Sequence, residues 1–266
     1  MIKCLASPNF FIIFSKMIKL TDLLKEVQNK PKAIIMAGGA GSGKDYILGK
    51  LNLNGFTEIN VDNDYEASLE KEIGKQKLSI MTPDELKKAG ELMGKARVTT
   101  REKENQAVAN LQNIVLNATS AAPKPILKKK EELEAKGYQT FMIVVYASPM
   151  TSLKRNASRN RTLVTSAVLN SWKGVASNID TYKQIFGDNL VVINNDPEDV
   201  DKSFTPEEIF KLYPQPKGKD KSPEEIAKSK LEKEKLNQDI KSLLDIEREF
   251  DTFDEAKQKI NQFINS

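Results

Sequence analysis

"IIMAGGAGSGKDYI", residues 34–47, runs an apolar strand into a glycine-rich loop and then into the start of a helix. Gly38, Gly39, Ala40, Gly41, Ser42, Gly43 and Lys44 follow the phosphate-binding pattern GxxxxGK[ST] up to its last position, where Asp45 replaces the hydroxyl. Missing Cβ atoms let backbone N–H groups curl around a phosphate, and the helix N-terminus adds partial positive charge. Lys44 then reaches the β- and γ-phosphates as a compact cation. The usual Ser or Thr gives Mg2+ a neutral oxygen; a carboxylate also ligates Mg2+, but it repels phosphate when the metal is absent. Asp45 therefore reads in three ways: a metal ligand that strengthens metal dependence, a helix cap pointing away from the metal, or the mark of a site that has lost its function.

Working outward from the loop, short apolar runs alternate with longer amphipathic stretches. Strands are expected at "KAIIMA" (32–37), "TEINV" (57–61), "NIVLNA" (113–118), "TFMIVVYA" (140–147) and "NLVVIN" (189–194). Their near-continuous apolarity suits strands covered on both faces. Helices are expected at about 44–53, 66–76, 98–112, 124–136, 150–161 and 165–186. This alternation predicts an α/β P-loop NTPase three-layer fold with a mostly parallel five-stranded sheet, and ligands at the C-terminal strand ends.

Composition narrows the chemistry. The 266 residues hold one cysteine, Cys4, and no histidine, which excludes an internal disulfide, a cysteine-built zinc site, histidine acid/base chemistry and nucleophile pairs that need histidine. Catalysis is left to carboxylates, Lys, Arg, hydroxyls, backbone amides and a hard cation such as Mg2+. The formal net charge of +4 is too small to imply nucleic acid by itself. The apolar run Phe10–Phe14 falls far short of the ~20 residues of a spanning helix, so neither a membrane nor a compartment other than the cytoplasm is expected.

Residues 1–16 read as an upstream-start extension before a second "MIK" at Met17, or else as a weak targeting segment, and 17–213 as the P-loop domain. Within it, residues 77–97 form an extra piece with a helix start at Thr82-Pro83-Asp84-Glu85, placed either as a substrate cap or as a structural excursion. Residues 214–266 read as a linker and a helical C-terminal tail, with capping boxes at Ser222–Glu225 and Thr252–Glu255. Phe253, Ala256, Ile260, Phe263 and Ile264 share one side of the last helix, which marks a packing or partner-binding appendage.

"INVDNDYE" (59–66) places Asp62 and Asp64 at the sheet edge beside the loop, where carboxylates can orient Mg2+ or take a hydroxyl proton. "MTSLKRNASRNRT" (150–162) puts Arg155 and Arg159 on one helical face with Arg161 just beyond, as candidate phosphate clamps or as an ordinary solvated basic face. Asn194 and Asn195 are candidates to hydrogen-bond a nucleotide base.

Taken in order, "GGAGSGKD", "VDND", "IVLNATS", "KGYQTFMIVVYASP" and an arginine-bearing helix resemble the zeta-toxin type of small-molecule kinase over about residues 32–195. Phage-encoded kinases of the same group are also similar, "SWKGVASNIDTYKQIFG" (171–187) included, so the resemblance is compatible with a phage source and a host-cytoplasm location. It implies phosphorylation of a sugar-nucleotide hydroxyl with ATP or GTP and Mg2+. It further implies Lys44 as the loop lysine, Asp64 as the base or hydroxyl-orienting group, and Thr119 as the threonine after the third strand. Two substrate-holding positions depart from the family: its glutamate two residues before that threonine is Asn117, and its following arginine is Ala121.

The expectation is a phosphotransferase that binds ATP at Gly38–Asp45. Asp45 and Asp62 are its metal candidates, Asp62, Asp64, Asn117 and Thr119 its acceptor-side residues, and Lys44, Asp64, Arg155, Arg159 and Arg161 its catalytic ones. The acceptor is a nucleoside, a nucleotide or a sugar nucleotide. Two alternatives stand beside it: a nucleotide-binding protein acting through a protein partner on its C-terminal helices, and a nucleic-acid 5′-hydroxyl kinase, which is not favoured.

Overall fold

A computed structural model describes residues 30–74, 81–159, 162–197, 205–213 and 223–266. The expected extension 1–16, Arg161, residues 77–80, and the linker 214–222 with Ser222 lie outside the described residues. All five expected strands form: β1 Lys32–Ala37, β2 Thr57–Ile59, β3 Ile114–Asn117, β4 Gln139–Tyr146 and β5 Leu190–Asn194. Their order is β2-β3-β1-β4-β5, and every pairing between them is parallel rather than mostly so.

Around the sheet lie α1 Lys44–Leu51, α2 Val61–Ile73, α3 Pro83–Ala109, α4 Pro123–Glu134, α5 Pro149–Ala157, α6 Thr165–Ala176, α7 Ile179–Phe186, α8 Pro206–Leu212, α9 Pro223–Leu244 and α10 Phe253–Asn265. Three boundaries differ from the sequence reading, each for a local reason. β2 stops at Ile59 because Asn60 caps a helix, its Oδ1 accepting the Asp62 N–H at 3.0 Å. "VDND" is thus the first turn of α2 and not the end of a strand. Residues 83–97 are the front half of one 27-residue helix, α3, opened by the Thr82–Glu85 capping box, and not a piece separate from 98–112. The helix expected over 165–186 breaks in two at Asn178, whose Nδ2 donates to Gly174 O at 2.6 Å and to Ala121 O at 3.2 Å.

Alternate residues of each central strand feed opposite faces. Ala33, Ile35, Met142, Val144 and Val192 face α5 to α9. Ile34, Met36, Phe141, Ile143 and Val191 face Ile47 and Leu51 of α1 together with Ala256, Ile260 and Phe263 of α10. Phe263 stacks on Phe141 with ring centroids 5.0 Å apart. α2 and the front of α3 close a third, smaller core from Tyr65, Leu69, Met81, Ala89, Leu92 and Ala96.

The C-terminal helices are built into the domain. Leu236, Ile240 and Leu243 of α9 join the first core, and Lys173 pairs with Asp239 at 2.7 Å. Asp251 adds itself beside β5, donating its N–H to Val192 O and accepting the Val192 N–H on Oδ2, both at 2.8 Å. The apolar side of α10 therefore covers the sheet and is not presented to a partner. Among the described residues no helix is long and apolar enough to cross a membrane.

If α10 completes the sheet's cover, Phe263→Ala should cost about 3–5 kcal/mol of unfolding free energy, the range for a buried aromatic truncation. Urea denaturation would show it as a lower midpoint with an unchanged slope; an unchanged midpoint would mean that α10 only rests on the domain.

Candidate functional site

The loop between β1 and α1 is held from several sides. Gly38 N–H donates to Thr119 O at 3.1 Å, and Ala40 N–H to Ser171 Oγ at 2.9 Å. Gly41 and Gly43 have φ of +81° and +86°, the left-handed region that favours glycine. A Cβ on Gly41 would lie 2.2 Å from Ser152 O, and one on Gly43 2.3 Å from Asn195 Nδ2. These glycines are needed for backbone shape and for close approach at once.

Gly43 caps α1 without any side-chain hydrogen bond, which leaves the N–H groups of the first turn open to a ligand. The Lys44 Nζ donates to Gly38 O at 2.8 Å. Burial pushes its pKa below the ordinary lysine value; Asp45 and Asp62 oppose that shift, and Arg159 adds to it.

Asp45 is not a helix cap. Its Oδ1 accepts from Asn117 Nδ2 at 2.9 Å, and Oδ2 lies 3.8 Å from an Arg159 guanidinium nitrogen, with the side chain 68% exposed. The same Asn117 Nδ2 donates to Glu58 Oε1 at 2.8 Å, and Asn60 Nδ2 reaches that oxygen at 3.0 Å. One amide at the end of β3 thus spans two carboxylates. Glu58 was missed in the sequence because a charged residue in a short exposed strand carries no motif.

Asp64 lies in the first turn of α2, 15% exposed, and both its oxygens are engaged by α3: Oδ2 by Thr100 Oγ1 at 2.5 Å, Oδ1 by Lys103 Nζ. Burial alone would raise its pKa, but the hydrogen bonds from Lys103 and Thr100 outweigh it and hold the carboxyl below its usual value. Asp62, two residues earlier in the same turn, is exposed, with its charge acting on Lys44.

Of the arginines, Arg155 is committed to backbone: its guanidinium donates to Ser42 O at 3.1 Å, to Gly41 O at 3.5 Å and to Asn195 O at 2.7 Å. Arg159, 45% exposed beside Asp45, has the freer guanidinium. Asn195 Nδ2 donates to Ser42 O at 2.8 Å, and Asn194 Oδ1 accepts from Asp196 N–H at 3.1 Å, so both asparagines hold the protein's own backbone. Thr119 contributes its carbonyl to Gly38. Ala121, where the resemblance would place an arginine, packs so closely that a Cβ on Gly174 would lie 2.8 Å from its own.

No curated protein sequence matches the chain significantly. Among solved structures, a native AvrRxo1-ORF1:-ORF2 complex superposes with a TM-score of 0.51 at 15% identity, covering 91% of this chain and 90% of that one. The same complex with ATP gives 0.51 at 13% identity, covering 84% and 83%. The PezAT toxin–antitoxin system of Streptococcus pneumoniae gives 0.43 at 16% identity, covering 68% and 76%. The model of the zeta toxin family matches residues 19–199, which take in the loop, the α2 acids, Arg155 and Arg159. The chain belongs to the zeta toxin family and is a P-loop kinase, a phosphotransferase.

Proposed function

We propose that the chain transfers the γ-phosphoryl group of ATP or GTP to a hydroxyl of a nucleoside, a nucleotide or a sugar nucleotide. One observation carries this reading: the desolvated Lys44 ammonium, at an uncapped helix start, lies in the fields of Asp45, Arg159 and Asp62. Such a nest with an opposed ring of charges suits a triphosphate and its counterion. The AvrRxo1 complex has been crystallised with ATP, which supports the choice of nucleotide.

In this reading the open N–H groups of the first turn of α1 and Lys44 hold the triphosphate. Asp64 orients the acceptor hydroxyl and receives its proton as the oxygen bonds to the γ-phosphorus. The bond to the bridging oxygen breaks, and the nucleoside diphosphate leaves with the electron pair. Arg159 balances charge on the phosphoryl group in transit, while Arg155 acts indirectly by holding the loop.

The donors fit Mg2+: Asp45 is a hard carboxylate exposed at the loop mouth, with Glu58 beside it on the same amide. Among the described residues no cluster of three or more metal-ligating side chains occurs. That suits a cation which keeps several waters and binds through one or two carboxylates plus substrate phosphates. Asp45 and Glu58 would hold the ion, which would supply positive charge against the phosphates. A protein partner would dock on surfaces other than the apolar side of α10, which the sheet occupies.

Incubation with [γ-32P]ATP, Mg2+ and a panel of nucleosides, nucleotides, nucleoside diphosphate sugars and 5′-hydroxyl oligonucleotides should label one small-molecule class. Lys44→Met and Asp64→Asn should each reduce labelling by about 100-fold or more. Label on no acceptor, or full labelling by both variants, would sink the proposal.

Asp45 has its own measurement. Removing Mg2+ should weaken ATP binding more in the parent chain than in Asp45→Ser, because only the parent leaves a carboxylate facing bare phosphate. Equal metal dependence in the two proteins would show that Asp45 is no ligand.

Lys44 predicts proton linkage. A triphosphate restores the ammonium, so ATP binding should take up protons at alkaline pH below the ordinary lysine value of 10.5. Without ligand the sign is the reverse of an ion pair's: stability should increase as pH rises from the depressed Lys44 value toward the unfolded one. Calorimetry in buffers of different ionisation enthalpy measures the uptake, which Lys44→Met should abolish.

A further inference from the structure

Asp64 faces its partners from one helix. Thr100 and Lys103 stand three residues apart on α3, hence on one side of it, and each takes a different oxygen of the carboxylate. We propose that Thr100 and Lys103 are positioning residues for phosphoryl transfer, clamping Asp64 in the single orientation that aims a lone pair at the acceptor hydroxyl. The inference rests on Asp64 acting in transfer as proposed above.

Three features support it. The clamp binds both oxygens, so the carboxylate can neither rotate nor tilt without losing a hydrogen bond, while each oxygen keeps a second lone pair for the acceptor. Thr100 is itself buried, and its single hydroxyl proton has two acceptors in reach, Asp64 Oδ2 at 2.5 Å and Ala96 O at 2.8 Å, of which the charged and nearer carboxylate is the stronger. Lys103 is 54% exposed and forms no part of any apolar core, so packing does not account for where its ammonium is placed.

The position of the clamp along α3 adds a consequence. N-terminal to it the helix packs on α2 through Ala89, Leu92 and Ala96; C-terminal to it Ala107 and Val108 enter the main core. The two residues sit where α3 passes from one core to the other, so the aim of Asp64 is fixed relative to both. Phosphoryl transfer depends mainly on positioning, and a misplacement of about 1 Å can cost about 100-fold in rate.

The test measures kcat and KM for MgATP in the full-length chain, with a nucleoside, a nucleotide, a nucleoside diphosphate sugar and water each offered as acceptor. Lys103→Met and Thr100→Val should lower kcat by about 10- to 100-fold with KM for ATP within about twofold, and Lys103→Arg and Thr100→Ser should recover most of the loss. In an Asp64→Asn background either substitution should add less than about twofold, since the group being aimed is gone.

Retention of kcat in both Lys103→Met and Thr100→Val, or losses that multiply with Asp64→Asn, would overturn the proposal and leave a helix–helix tether. Lys103 is exposed, so its variant keeps the test decisive if Thr100→Val fails to fold. Full kcat in Asp64→Asn, or no turnover by the parent, would instead remove the role of Asp64 itself and the clamp with it.

Discussion

The carbonyl of Ser42 ties the loop to the strand ends that follow it in the chain. Asn195 from the end of β5 and Arg155 from α5 both donate to it, while Gly38 is fastened to the loop after β3. A glycine-rich loop is costly to order because glycine loses the most backbone freedom on folding. These contacts spread that cost over elements far apart in sequence. They also explain why Gly41 and Gly43 cannot carry a Cβ: the space on the outer side of the loop is already filled by Ser152 and Asn195.

Around Asp64 the equivalent constraint is α3. It is long because a capping box starts it early and no glycine or proline breaks it later; Gly90 and Gly94 sit where nothing crowds them. One rigid rod thus belongs both to the small core with α2 and to the main core. Asp64 hangs between them, so the geometry of the carboxylate belongs to the helix pair and not to the loop carrying the phosphate nest. On the opposite face of the sheet, α10 supplies cover that α1 alone is too short to give.

Asp45, which departs from the phosphate-loop pattern, and Asn117, which departs from the family's glutamate, touch each other. An acid in place of the usual hydroxyl brings a carboxylate close to Glu58, and the neutral amide of Asn117 hydrogen-bonds to both. Like charges that close would otherwise destabilise one another. The acid in the loop, for which loss of function was one of three readings, is accompanied by a partner that accommodates it.

Strand number, the phosphate loop and the acids of "VDND" were legible in the sequence, because apolar runs, glycine spacing and caps are local signals governed by backbone sterics and burial. Other features were not. That Asn60 would end β2 and start a helix turned on a competition between two short-range preferences, and the cap won. Arg155 could be read as a phosphate clamp or as part of a solvated face, because helical spacing shows which residues share a face but not what that face meets; the fold turned it toward loop carbonyls. The last helix announced an apolar stripe without naming its occupant, and Lys103 carried no motif at all. The sequence by itself determined the elements, the anion nest and the chemistry available to a chain without histidine. Tertiary structure alone decided which charges meet, because a pairing such as Lys103 with Asp64 joins residues 39 positions apart, and no local rule reaches across that separation.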